Sequence, residues 1–189
     1  MSFIKTHVAY LMSMNKINID GVLIVEGKED VSYLSNFVNA LFFTTNGYDI
    51  NKDKIDFLKA ASKVNKLIIY TDPDKAGEEI RNKIKSEISD VFEAKSERII
   101  RKFLKKGGVA ELEKDEVIRT LSPFITNREL SLNTYDLVTL ISLSKSPSES
   151  KEKLCTKYRL INGSIKFLEN QLNILKINPK EVEELLSGN

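Results

Sequence analysis

Three acids in this sequence stand where short apolar runs stop. Val22-Leu23-Ile24-Val25 runs into Glu26-Gly27, and Leu67-Ile68-Ile69-Tyr70 runs into Thr71-Asp72-Pro73-Asp74. Four consecutive apolar residues bounded by polar ones suit a short strand buried on both faces of a parallel sheet. Ligands of such sheets collect at the carboxyl ends of the strands, so Glu26, Asp72 and Asp74 are expected at one rim. Pro73 cannot continue a central strand and pushes Asp72 toward extended geometry. In extended chain, side chains two apart point the same way, which projects Asp72 and Asp74 together. Carboxylates held side by side repel, and a hard divalent cation is the usual relief. A plainer reading stands beside this one: Asp74 caps a helix beginning near Lys75, and Asp72 is a loop acid.

The elements that must position these acids follow from the pattern around them. Val31, Leu34, Val38 and Leu41 are spaced 3, 4 and 3, which predicts an amphipathic helix from Glu29 to Leu41. Phe42 to Gly47 reads as a strand ending in a turn, and Asp53 to Val64 as a helix burying Ile55, Leu58 and Ala61. A helix from Lys75 to Ile88 carries Ile80, Ile84 and Ile88 on one stripe, and Val91 to Ala94 reads as a fourth strand. Strand and helix alternate throughout, so the core is expected to be a parallel α/β sheet with helices on both faces.

Beyond the fourth strand lies the densest basic run, with Arg98, Arg101, Lys102, Lys105 and Lys106 and no acid among them. It reads either as a phosphate-gripping face or as a solvated helix face over an apolar underside. Glu113 to Leu121 resumes a helical pattern, and residues 126–132 form a polar stretch where a domain can end. The rest is helical only. Asn133 or Thr134 is the expected cap of Tyr135–Leu143, a Ser146-Pro147-Ser148 turn precedes Glu149–Tyr158, and Asn162 is the expected cap of Ile165–Leu175. Pro179 suits the first turn of a last helix over Glu181–Leu186. Residues 145–180 hold eight Lys/Arg against three Glu, which fits a substrate-facing appendage and equally a solvated helical cap.

Composition narrows the chemistry. With 41% apolar and 30% charged residues, the chain is in the range of soluble globular proteins. A net charge of +2 means that any basic surface must come from local clustering. Cys155 is the single cysteine and His7 the single histidine, which excludes a cysteine-rich zinc site and multi-histidine metal binding. No apolar run approaches the ~20 residues that span a bilayer, and no clear secretory signal is present. The expectation is a soluble cytoplasmic protein, divided into an extension over residues 1–20, a sheet domain over 21–125 and a helical domain over 126–189.

Glu26-Gly27-Lys28 after one strand, Asp72-Pro73-Asp74 after another, and Gly77-Glu78-x-Ile80-Arg81 opening the next helix together resemble a Toprim domain. The resemblance implies a Rossmann-like parallel sheet carrying a metal site, here followed by a small all-helical domain. Toprim topoisomerases need a tyrosine nucleophile in further domains, and Toprim primases carry zinc-binding Cys or His that this chain lacks. The branch it is most similar to is the 5S ribosomal RNA maturases. That likeness continues through Gly108-Val109-Ala110-Glu111, Asp136-Leu137-x-x-Leu140, Asn162 and Leu172-Asn173-Ile174-Leu175-x-Ile177, and closes near Glu184. Departures are Lys75 and Ala76, where the family commonly has an aromatic and a proline, and Ser164, where it tends to have a lysine.

The resemblance implies a Mg²⁺-dependent endoribonuclease that cuts both strands of the double-stranded stem of precursor 5S rRNA, presented with the ribosomal protein that binds 5S rRNA. Glu26, Asp72 and Asp74 would be its catalytic and metal residues, with Glu26 as general base or acid. Asp30 and Glu78 are candidate outer ligands, and Glu78 equally favours a helix amino terminus. Lys28, Arg98, Arg101, Lys102, Lys105 and Lys106 are the candidate RNA contacts. The alternative is a Toprim nuclease, or a nucleic-acid-binding protein, acting on another DNA or RNA.

Overall fold

The computed structural model describes residues 16–47, 50–95, 109, 113–142, 144 and 146–187. By packing, one compact unit comprises Met1–Asn51 and Asn65–Leu130, and a second comprises Lys52–Val64 and Ser131–Asn189.

The first unit is built on a sheet. Its strands are β1 (Ile17–Val25), β2 (Val38–Thr44), β3 (Leu67–Ile69), β4 (Val91–Glu93) and the two-residue β5 (Ile125–Thr126). The order is β2-β1-β3-β4, all parallel, and β5 pairs antiparallel with the start of β1 through Ile19↔Ile125. β5 was not anticipated, because two residues carry no period of their own. β1 and β3 are therefore neighbours although 41 residues separate Val25 from Leu67 in the chain. A chain that lays β2 on one side of β1 and β3 on the other creates a switch point, where a crevice opens beyond the strand ends.

Both faces of the sheet are buried, as the continuous apolar runs require. Leu23, Val25, Ile68 and Tyr70 share a core with Leu34 of helix α1 (Lys28–Leu34) and with Val117, Ile118 and Leu121 of a helix over Lys114–Leu121. On the other face Val22, Ile24, Phe43, Leu67 and Ile69 are equally sealed. A bulge between Asn18 and Val22 lets β1 change partners midway. Gly21 sits there at φ +152°, and a Cβ on it would lie 2.7 Å from the Lys66 carbonyl oxygen, so only glycine lets the strands close.

The expectation of one helix from Glu29 to Leu41 is corrected. α1 stops at Leu34, and Val38 and Leu41 lie on β2. Ser35 Oγ donates to the Val31 carbonyl and Asn36 Nδ2 to those of Ser32 and Tyr33, satisfying the last-turn acceptors. The β-rich run that follows then pairs along β1. The spacing 31, 34, 38, 41 fits a helix by coincidence.

In the second unit, α2 (Lys52–Ala61) groups with the carboxyl-terminal helices. In chain order, α3 (Lys75–Glu87) and α4 (Lys114–Leu121) belong to the first unit. α5 (Leu137–Ser142), α6 (Pro147–Tyr158), α7 (Ile165–Ile174) and α8 (Pro179–Ser187) complete the second. The caps differ from those expected. Ser164, not Asn162, caps α7 by accepting from Phe167 N at 3.2 Å. Asn133 is occupied elsewhere, accepting nothing from α5 but donating to Asn173 Oδ1 through its backbone N–H and to the Ile177 carbonyl through Nδ2. Asp136 accepts from Thr139 N instead.

Gln171 is fully buried and satisfies both backbone groups of Ile161. Its Oε1 accepts from Ile161 N at 2.7 Å and its Nε2 donates to Ile161 O at 2.8 Å. Gln171→Leu leaves both groups unpaired, at about 1–3 kcal/mol for the half-buried loop. Urea denaturation is expected to show a lowered midpoint, and an unchanged midpoint would mean that water replaces the amide.

Candidate metal and nuclease site

The site is assembled by two turns on adjacent strands. β1 ends at Val25, and Glu26 follows before Gly27 caps α1. Asp30 is buried and accepts from Gly27 N at 2.9 Å, holding the turn in shape. β3 ends at Ile69, and Asp72-Pro73-Asp74 leads into α3, which Asp74 caps by accepting from Gly77 N at 2.8 Å. The helix-cap reading of Asp74 is therefore observed, and it uses one of the two carboxylate oxygens.

Glu26 reaches across from the neighbouring strand, and its Oε1 accepts from Asp72 N at 2.7 Å. Asp72 Oδ1 in turn accepts from Val109 N. Two carboxylates from two strands are thus locked by backbone N–H donors, with Asp74 beside them. The charges feel one another. Burial first, then the negative charges of Asp72, Asp74 and Asp30, push the Glu26 carboxyl up to about 7, against the pull of the Asp72 N–H.

Two residues without an assigned role in the sequence reading prove central. Gly77 lies where a Cβ would stand 1.9 Å from the Asp72 carbonyl oxygen and 2.7 Å from Glu26 Oε1. Arg81, one turn on, donates from Nη1 to Thr71 Oγ1 at 2.8 Å and to the Asp72 carbonyl at 2.7 Å, and its Nε pairs with Glu93 at 3.2 Å. Thr71 Oγ1 donates to the Gly77 carbonyl at 3.1 Å, closing the ring around the turn. A glycine in the first turn of a helix otherwise rich in long side chains was the available signal for the first. Arg81 stood in the motif Gly77-Glu78-x-Ile80-Arg81, but its partner had no local signal, since Glu93 is a strand away.

The remaining expected residues are distributed as follows. Lys28 opens α1 and is exposed, as is Glu78 on α3. Arg98, Arg101, Lys102, Lys105 and Lys106 lie outside the described residues. Among the described residues no three carboxylate, imidazole or thiolate groups are gathered closely enough to grip a metal unaided. The donors present are all carboxylate oxygens, which suits a hard cation such as Mg²⁺, commonly bound through one or two carboxylates, several waters and substrate phosphates.

A Toprim domain matches residues 21–105, the span containing Glu26, Asp72, Asp74, Gly77 and Arg81. Ribonuclease M5 of Mycoplasma pneumoniae is 30% identical over 175 residues, covering 90% of this chain and 97% of that one. The chain belongs to the ribonuclease M5 family. Ribonuclease M5 of Mycoplasma genitalium is 28% identical over 173 residues, covering 88% of this chain and 94% of the relative. A small Toprim domain protein from Bacillus stearothermophilus superposes with a TM-score of 0.47 at 18% identity, over 57% of this chain and 93% of that one. The expected fold class, a parallel α/β sheet with helices on both faces and a helical carboxyl-terminal region, holds for this member of the family.

The Glu26 shift has a consequence for stability. Below about pH 4.5 the carboxyl is protonated in folded and unfolded chains alike. Between about 4.5 and 7 the folded protein keeps a proton that the unfolded chain has lost, so stability falls as pH rises through this window. Thermal melts of metal-free protein across that range are expected to show the decline, and Glu26→Gln to flatten it. A wild-type curve already flat between pH 5 and 7 would contradict the assignment.

Proposed function

We propose that the protein matures 5S ribosomal RNA: an endoribonuclease that uses Mg²⁺ to cut the double-stranded stem of the precursor in the cytoplasm. Membership of the ribonuclease M5 family supports the coarser part, a metal-dependent endoribonuclease. The observation that carries the site assignment is Glu26 hydrogen-bonded to the backbone of Asp72, its proton affinity raised by the acids around it.

In this reading Asp72 and Asp74 hold the cation and Glu26 completes the set. Bound there, Mg²⁺ supplies charge for the scissile phosphate and lowers the pKa of a ligated water. The residues themselves do the rest. Glu26, titrating near neutrality, accepts a proton at Oε2 or returns one, since its Oε1 is engaged by Asp72 N. The Val109 N–H orients the Asp72 carboxylate, and Arg81 holds the Asp72 backbone from behind. Lys28 and the basic run Arg98–Lys106 are proposed to grip phosphates of A-form RNA, which is recognised by shape rather than by base sequence. The ribosomal protein that binds 5S rRNA is proposed as the presenting partner. Among the described residues no helix is long and apolar enough to cross a membrane.

The deciding experiment incubates purified protein with precursor 5S rRNA, with and without Mg²⁺ and the ribosomal protein, and with a DNA duplex of equal length. Cleavage of the RNA alone, dependent on the cation, is expected. Cutting of the DNA at a similar rate would move the assignment to another Toprim nuclease, and binding without cleavage would make the chain a scaffold.

A further inference from the structure

Arg81 is fixed in a way that leaves part of it unused. Nη1 and Nε are taken by Thr71, Asp72 and Glu93, and among the described residues Nη2 has no acceptor. The side chain is only 12% exposed, so these spare N–H groups are held in place rather than swinging in solvent. The guanidinium lines a cleft of about 230 Å³ with Thr71, Pro73, Asn82, Lys85 and Lys95. On α3, Lys85 is four residues from Arg81 and three from Asn82, so it neighbours both on the helix surface. Lys95 stands just beyond the end of β4.

The charges of this cleft are unbalanced toward cations at its centre. Arg81, Lys85 and Lys95 all pair with the single carboxylate of Glu93, at 3.2, 3.0 and 3.2 Å. Burial pushes the Glu93 carboxyl up, but hydrogen bonds from Lys85 and Lys95 outweigh it and hold it below its ordinary value. Glu93 therefore stays ionised, and one negative charge faces three positive ones. Glu78, the other acid of the lining, is exposed. Lys85 and Lys95 are 47% and 72% exposed, free to leave Glu93 for a stronger anion. A cleft with a preoriented guanidinium edge and two mobile ammonium groups matches a phosphate.

We propose that this cleft binds one backbone phosphate of the nucleic-acid strand, next along the chain from the phosphate that is cut, through Arg81 Nη2, Lys85 and Lys95. Thr71 and Pro73, which line the cleft, flank Asp72 in the chain, so a strand seated here runs beside the turn that carries the carboxylates. Arg81 then serves twice, fixing the Asp72 backbone on one side and the strand on the other. The identity of the strand as RNA and the position of the cut phosphate rest on the nuclease reading above.

The test uses the full chain in EDTA with a short RNA duplex from the precursor stem, so that binding is read without cleavage. Lys85→Gln/Lys95→Gln removes two exposed partners of Glu93 while Arg81 still pairs with that carboxylate, and is expected to lower the melting temperature by no more than a few degrees. It should make the dependence of log affinity on log salt shallower by about 0.7–0.9, the loss of one phosphate contact. A neutral methylphosphonate placed in turn at each position flanking the cut should weaken wild-type binding at one position. That same substitution should weaken binding less in the double variant, which keeps only Arg81 at the subsite, and less in Arg81→Lys, which keeps the charge but not the planar fork, than it does in wild type. If the duplex binds but every methylphosphonate acts alike on wild type and variant, the phosphate subsite is wrong and the nuclease reading survives. If the wild type binds no RNA, both readings fall.

Discussion

Glu26→Gln is expected to lower Mg²⁺-dependent cleavage of precursor 5S rRNA by about 100-fold or more, within the range for losing a general acid or base. RNA affinity measured in EDTA should change by less than about tenfold, ~1.4 kcal/mol. The substitution is a clean one for a structural reason. A glutamine carbonyl oxygen at the same place still accepts from Asp72 N, so the bond that ties the two strand ends survives. What disappears is the ionisable oxygen and its repulsion toward Asp72, Asp74 and Asp30. The variant is therefore expected to melt no lower than wild type at pH 7 while losing the chemistry. Asp72→Asn should behave alike in cleavage, with a weaker link to Val109 N. Single-turnover cleavage and melting curves measured together decide the matter. Near-normal cleavage by Glu26→Gln would remove Glu26 from the catalytic set.

Gly77→Ala is expected to damage both fold and site. The added Cβ would meet the Asp72 carbonyl oxygen at 1.9 Å and Glu26 Oε1 at 2.7 Å, far inside contact distance. Neither side can yield cheaply. The Gly77 N–H is bound by Asp74, its carbonyl by Thr71, and the Asp72 carbonyl by Arg81. Overpacking of this kind costs roughly 1–3 kcal/mol, and the backbone clash puts Gly77 at the upper end. For a chain of this size that is a melting-temperature loss on the order of 5–10 °C. Cleavage should fall at least tenfold even well below the new melting temperature, because the start of α3 must move away from Asp72. Mn²⁺ affinity of the variant reports the same displacement without relying on turnover. A variant with wild-type melting and wild-type cation affinity would show that the helix start can shift without disturbing the carboxylates.

What was legible in the sequence is what local chemistry decides. Val22–Val25 and Leu67–Ile69 are buried strands because apolar residues between polar ones have nowhere else to go, and Pro73 bars the second from continuing for a steric reason visible at once. Glu26 and Asp72 are expected at one rim because alternating strands and helices make a parallel sheet whose strands end on one side; that their strands are immediate neighbours is set by the order β2-β1-β3-β4. The tertiary structure alone decided the rest, and each case turns on partners far apart in the chain. The helix expected to reach Leu41 stops at Leu34 because β1 offers Val38–Thr44 a ladder of hydrogen bonds. Residues Lys52–Val64 pack with the carboxyl-terminal helices, where Lys176 Nζ donates to the Val64 carbonyl across 112 residues of sequence. Gly77 is irreplaceable only because the Asp72 carbonyl lies against it, and Arg81 matters only because Glu93, on another strand, turns its fork toward that carbonyl. Periodicity reports which face of an element is buried. It carries no information about which distant backbone atom that face will meet.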